Sequence, residues 1–257
     1  MRTAWIVLGV ALVPGVVATT ELPFADPVAL DTLAGPRLIE AGDLDGDGDV
    51  DLVVADSGGN DELVWLENLG EGTFAASVLI DDEFGIWRGL KLQDIDIDGD
   101  LDVVVASNAA TEGVYYYANN LRTGGAFTRN LLESADAPWG IDFADLNSNG
   151  SVDTVFATTE GDVLAGEGIG LIGTGLSGGA RGVAVGDTDG DGDVDIVATA
   201  FSGGGLHFEN RIDEALSWVQ TSIDASLAGA SVIAVGDVDS DGDVDVAAAS
   251  AGLGPLN

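Results

Sequence analysis

The chain has 257 residues, 46% of them apolar, with 45 acidic against 8 basic side chains, a formal net charge of −37 and no cysteine. The apolar share excludes a disordered acidic tail, and the charge excludes nucleic acid and anionic membranes as electrostatic partners. The missing cysteines exclude disulfides, thiolate metal sites and a cysteine nucleophile, so the small partner the charge invites is a cation.

Residues 1–18, MRTAWIVLGVALVPGVVA, set one arginine before an apolar run that ends in small residues. The run is short for a bilayer span and is broken by Pro14 and Gly15. It reads as a signal peptide cleaved before Thr19, not as an anchor. The remainder, 19–257, reads as one exported repeat domain with no membrane insertion once the signal is removed. Its first element is expected at FADPVALDTL (24–33), a strand standing before the first repeat.

From Asp43 the chain repeats itself. DLDGDGDVD (43–51), DIDIDGDLD (94–102), DLNSNGSVD (145–153), DTDGDGDVD (187–195) and DVDSDGDVD (237–245) start 51, 51, 42 and 50 residues apart and hold 22 of the 45 acidic residues. Each follows a short alternating stretch (RLIEAG, RGLKLQ, WGIDFA, RGVAVG, SVIAVG) and runs into an apolar one such as LVVA. A third strand follows in ELVWLENLG, GVYYYANN and GLHFEN, ending near Asn68, Asn119 and Asn210, where a turn residue belongs. A fourth follows around FAASVLI, AFTRNLL and LSWVQTSI. Four short strands per period of about 50 residues predict an all-β, β-propeller-type array of four-stranded blades. The third unit is shorter and is expected to be trimmed. The fifth is incomplete, so the array reads as open or as a fragment of a larger propeller.

The loop pattern is D-x-D-x-D-G-x-x-D. Carboxylates at positions 1, 3 and 5 of a tight turn point inward, glycine at position 6 permits the backbone reversal, position 7 can add its carbonyl, and position 9 closes the shell. Such a cage of hard oxygens suits Ca²⁺ better than the smaller, rigidly octahedral Mg²⁺. Without a cation the side chains repel one another. An EF-hand is excluded, because position 12 is Val54, Val105, Phe156, Ala198 or Ala248 in place of glutamate, and the flanks are strand-like.

The loop with its preceding strand, and WLENLGEGTF downstream, resembles the FG-GAP/VCBS repeat found in integrin alpha-chain propellers and in many exported bacterial proteins. The literal Phe-Gly…Gly-Ala-Pro signature is absent, so the resemblance is to the calcium half of the repeat. It implies a β-propeller with up to five Ca²⁺. The implied side-chain ligands are Asp43, Asp45, Asp47 and Asp51; Asp94, Asp96, Asp98 and Asp102; Asp187, Asp189, Asp191 and Asp195; and Asp237, Asp239, Asp241 and Asp245. Asp49, Asp100, Asp193 and Asp243 would add backbone carbonyls. The third loop offers Asp145, Asn147, Asn149 and Asp153, with Ser151 at position 7. With half the ligand charge, it is expected to bind more weakly.

Nothing in the sequence supports catalysis. Repeated identical acidic loops do not drive two carboxyl pKa values apart as acid–base chemistry requires. The single histidine, His207, sits in the slot filled by Trp65 and Tyr116 and reads as structural. No nucleophile elbow or phosphate loop is present. One lead to a ligand remains. Six residues before the loops stand Arg37, Arg88, Trp139, Arg181 and Ser231, with Trp87 beside Arg88. These lie about 20 Å from the loops along a strand of some 3.3 Å per residue. They could hold an anionic or sugar-like ligand, or simply pack neighbouring blades. The reading that follows is an exported calcium-binding module for extracellular recognition or adhesion, with an extracellular protein or glycan as partner. The alternatives are a non-catalytic accessory propeller of a larger secreted polysaccharide-active enzyme, or a structural spacer.

Overall fold

The computed structural model describes residues 29–57, 61–83, 86–108, 112–166, 168–211, 217–224 and 229–250. The expected signal segment and the first half of FADPVALDTL lie outside these; residues 29–33 carry no strand. The described residues are almost wholly β. Sheet one contains β1 (Pro36–Gly42), β2 (Asp51–Asp56), β3 (Leu63–Leu66) and β4 (Val78–Asp81), and sheet two β5 (Trp87–Gln93), β6 (Asp102–Ser107), β7 (Gly113–Ala118) and β8 (Thr128–Glu133). Sheet three contains β9 (Pro138–Ala144), β10 (Asp153–Thr158), β11 (Val163–Ala165) and β12 (Gly170–Gly173). Sheet four contains β13 (Ala180–Gly186), β14 (Asp195–Ala200), β15 (Gly204–Arg211) and β16 (Ser217–Asp224), and β17 (Ala230–Gly236) pairs with β18 (Asp245–Ser250) in the fifth. The only helical element described is a single 3₁₀ turn at Leu121–Thr123.

Each sheet is an antiparallel meander in chain order. The shortened third unit keeps all four strands and saves its residues by cutting β11 to three and β12 to four. Strand composition follows depth. The second strands are continuous apolar runs, and β6, β10 and β14 are buried at every residue. A continuous run, in place of strict alternation, is what a strand covered on both faces requires. The fourth strands β4 and β8 are half-exposed to exposed throughout.

The core is accordingly layered between successive sheets. Val53, Ala55, Leu63 and Trp65 of the first meet Trp87, Leu90, Val103, Val105 and Tyr117 of the second. Val104, Ala106 and Val114 of the second meet Ile141 and Phe156 of the third. Ala184 and Val197 of the fourth meet Ile233 of the fifth. The first strands β1, β5, β9, β13 and β17 are neighbours in that order. Two glycines allow this approach: a Cβ on Gly89 would lie 2.7 Å from the Trp139 carbonyl oxygen, and one on Gly140 would lie 2.5 Å from that of Arg181. The aspartate loops therefore join first to second strands at one end of every sheet.

Candidate metal centres

The five loops share one backbone conformation. Positions 4 and 6 are left-handed in all of them, position 4 being Gly46, Ile97, Ser148, Gly190 and Ser240, and position 6 being Gly48, Gly99, Gly150, Gly192 and Gly242. Glycine at position 6 was legible; the demand at position 4 was not, because non-glycine residues meet it in three loops. Ile97 at φ 60° is β-branched and carries a cost of about 1–2 kcal/mol.

Loop N–H groups are satisfied by the aspartates themselves. One oxygen of position 1 accepts the N–H of the position 6 glycine in every loop, at 2.8–3.1 Å. Position 5 accepts from the N–H of position 7, as in Asp49 to Asp47 at 2.8 Å and Asp100 to Asp98 at 3.0 Å. Position 9 accepts from the N–H of position 2, at 2.9–3.1 Å in all five. In the first, second and fourth loops its other oxygen accepts the N–H of Asn68, Asn119 or Asn210 at 2.8–2.9 Å. Position 9 is fully buried at Asp51, Asp102, Asp153 and Asp195.

This arrangement brings three carboxylates together in each of four loops: Asp43, Asp45 and Asp51; Asp94, Asp96 and Asp102; Asp187, Asp189 and Asp195; Asp237, Asp239 and Asp245, with the ligand atoms of each set within 4.8 Å of one another. The position 5 residues Asp47, Asp98, Asp191 and Asp241 stand outside these triplets, turned onto the N–H of position 7. At such separation each like-charge pair costs roughly 3–4 kcal/mol at an effective dielectric of about 20, and under about 1 kcal/mol in open water. The position 3 carboxyls of Asp45, Asp96 and Asp189 are pushed above the usual aspartate range, first by desolvation and then by neighbouring carboxylates. Burial also raises Asp102, against the opposing pull of the Asn119 and Ile95 N–H groups. Three carboxylates gathered within 4.8 Å of one another fit a hard divalent cation, which would relieve their repulsion.

The third loop is built differently. Only Asp145 and Asp153 remain as carboxylates, and the Asn147 side-chain amide donates to both oxygens of Asp153 at 3.3 Å. An internal donor occupies the place where the other loops have a third negative charge.

Three features escaped the sequence reading. Asn119 and Asn210 are more than turn residues. The Asn119 amide donates to the carbonyl of Leu44 in the preceding sheet at 2.7 Å and to Leu101 at 3.0 Å, and Asn210 does the same to Leu146 at 2.8 Å and Val194 at 3.1 Å. Each staples its own loop to that of its neighbour. Arg122 forms an ion pair with Asp100 and lies where a Cβ on Gly46 would fall, so one guanidinium bridges the first two loops. His207, placed by its slot as structural, reaches a carboxylate of the fourth acidic loop: its Nε2 is 2.7 Å from Thr188 Oγ1 and 3.4 Å from Asp195 Oδ2.

At the far end of the first strands, Trp87 is fully buried, its indole N–H donating to the Asp61 carbonyl at 2.9 Å. It belongs to the core, not to a ligand surface. Arg37, Arg88 and Arg181 do gather, each over the ring of Trp139, at 5.8, 4.1 and 3.6 Å from its centre.

Fold and loops define an all-β repeat protein in which a conserved-geometry acidic turn recurs between the first two strands of each sheet. A model of the FG-GAP-like repeat matches residues 43–105, 94–156 and 187–248, more than half of the chain, and the chain belongs to that family. No curated protein matches it. Among solved structures it is similar to the V. cholerae biofilm matrix protein Bap1, at 21% identity and a TM-score of 0.49, over 78% of this chain and 30% of that one. It is also similar to BBS1N, solved in complex with ARL6DN, at 21% identity and a TM-score of 0.49, over 80% of this chain and 62% of that one. The chain thus spans less than two thirds of either.

Proposed function

We propose that the chain is an exported, calcium-loaded, non-catalytic repeat module that serves recognition or adhesion outside the cell. The observation that supports this reading is the carboxylate triplet at positions 1, 3 and 9, present in four loops that share the bonds from the position 6 N–H to position 1 and from the position 2 N–H to position 9. Calcium at extracellular concentrations fills loops of modest affinity, which cytosolic calcium would leave largely empty. When bound, the ion would neutralise the triplet and so hold the first and second strands of each sheet in register. The test is elemental analysis of the purified chain together with melting curves in calcium, magnesium and EDTA. The expected result is at least four calcium ions per chain, and a midpoint that falls in EDTA and recovers more fully with calcium than with magnesium. An unchanged midpoint in EDTA with no ion detected refutes the proposal. Export is tested separately: the N-terminus of the product collected outside the cell should begin at Thr19.

A further inference from the structure

The end of the sheets remote from the loops carries a second built feature. In all five sheets the pairing between first and second strands slips at the same place: between Pro36 and Leu38, Trp87 and Gly89, Pro138 and Ile141, Ala180 and Val183, and Ala230 and Val232. The residues left without a ladder partner include Arg37, Arg88, Trp139, Arg181 and Ser231. A bulge takes a side chain out of the pleat's alternation and re-aims it. Here four sheets aim theirs at one point, with three guanidiniums over one indole and Arg181 also 4.8 Å from the Phe201 ring.

The chain has 45 acidic and only 8 basic side chains, yet three of the eight meet here. Among the described residues none of the three forms an ion pair with a carboxylate. The Nε atoms of Arg88 and Arg181 are buried without a hydrogen-bond partner. Stacking on Trp139 returns about 0.5–1 kcal/mol for each partly exposed cation, while the guanidiniums repel one another. Burial and then the neighbouring arginines hold the pKa values of Arg88 and Arg181 below the usual arginine range. Planar forks with free N–H donors match the oxygens of an oxyanion two at a time, and only a polyvalent anion offsets three positive charges at once.

We propose that Arg37, Arg88 and Arg181, gathered round Trp139 at the end of the first strands remote from the aspartate loops, form a binding site for a multiply charged oxyanion of the sulfate or phosphate class, free or as an ester. The site stands apart from the loops, and its test gives an answer whether or not they hold calcium. Calorimetry on the full chain at constant ionic strength uses inorganic sulfate, glucose 6-sulfate and glucose 6-phosphate as probes, with chloride as the blank. Saturable binding of at least one probe is expected in the wild type. Binding should persist in Arg129→Gln, an arginine paired with Asp81 and Glu83 on the outer strand. It should weaken at least tenfold in both Arg88→Gln and Arg181→Gln. Tighter binding of inorganic sulfate assigns the site to the free ion, and tighter binding of an ester assigns it to a group on a larger ligand. Removing one like charge should also raise the midpoint of Arg88→Gln in anion-free buffer, whereas a purely packing role lowers it. If both variants fail to fold, as judged by circular dichroism, the exposed Arg37→Gln carries the same binding test. No saturable heat with any probe, or equal affinity in the arginine variants, overturns the proposal.

Discussion

The third loop offers the most direct test of how charge and metal share these turns. In Asn147→Asp the amide that donates to both oxygens of Asp153 becomes a third carboxylate beside Asp145 and Asp153, and the loop then carries the 1, 3, 9 triplet of the other four. Without metal two penalties add. The lost hydrogen bond to a charged group costs about 1–2 kcal/mol. The new repulsion at roughly 4 Å lies between about 1 kcal/mol in water and about 4 at an effective dielectric of 20, and the half-exposed loop belongs near the lower end. A total of about 2 kcal/mol lowers the melting midpoint in EDTA by roughly 4–8 °C in a domain of this size. In calcium at about a hundred times the dissociation constant, binding to the folded state returns about 2.7 kcal/mol, so the variant recovers to the wild-type midpoint or above it. Calorimetry and elemental analysis should count one more tight ion than in the wild type. If Asn147→Asp melts with the wild type in EDTA and binds no additional ion, the reasoning about the triplet is wrong.

Three further outcomes follow from single contacts. Asn119→Ala leaves the carbonyls of Leu44 and Leu101 without their buried donor and should cost about 1–3 kcal/mol in urea unfolding. Asn68→Ala, whose amide meets the Val50 carbonyl at an exposed position of its own sheet, should cost less than half as much. Gly140→Ala drives a Cβ to 2.5 Å from the Arg181 carbonyl oxygen and should cost about 1–3 kcal/mol or more in thermal melts, whereas Gly236→Ala, with nothing within 4 Å, should be close to neutral. Glu40 has its pKa raised above 4.5 by burial, with Lys91 opposing and Asp142 reinforcing the shift. The folded state therefore holds that proton more tightly than the unfolded chain, a contribution fully present below pH 4.5 and lost as pH rises through the folded value. Glu40→Gln should melt above the wild type at pH 7.5 and level with it at pH 4.5; equal midpoints at both values would contradict the assigned shift.

The loops, the order of strands and the limits of each repeat were legible because a nine-residue pattern at near-constant spacing pins the register of everything around it. The apolar run after each loop marked the second strands; that β6, β10 and β14 are buried at every residue came only with the fold. What stayed hidden depends on contacts between repeats. Asn119 looks like a turn residue from its neighbours alone, because the carbonyl it meets is 75 positions away. Trp87 and Arg88 adjoin in sequence, yet the ladder slips between Trp87 and Gly89, so Trp87 enters the core and the bulged Arg88 is re-aimed into the arginine group. The third sheet keeps four strands because a strand of three residues still closes a ladder, and a composition window does not register so short an element. The division of labour within the loop was not visible either, since positions 5 and 9 are both aspartate in four loops, and only the fold sets position 9 beside positions 1 and 3 and turns position 5 onto the N–H of position 7.

That division gives the loops a role in holding the sheets to one another. The closing carboxylate Asp102 accepts the N–H of Ile95 through one oxygen and that of Asn119 through the other, and the Asn119 amide in turn reaches Leu44 within the first loop. Asp195, Asn210 and Leu146 repeat the chain between the fourth and third loops. A cation drawn to Asp102 or Asp195 therefore acts on a group already bonded to the strand that staples the preceding sheet. Neutralising one triplet would steady two loops at once, so that bound metal, measured by elemental analysis, and sheet-to-sheet cohesion, measured by melting, are expected to rise and fall together. Beside the third sheet the pattern changes at both points: β11 has no such asparagine, and the third loop supplies its own donor in Asn147. The third repeat, which lacks a staple to the sheet before it, is also the one whose loop keeps only two carboxylates, Asp145 and Asp153.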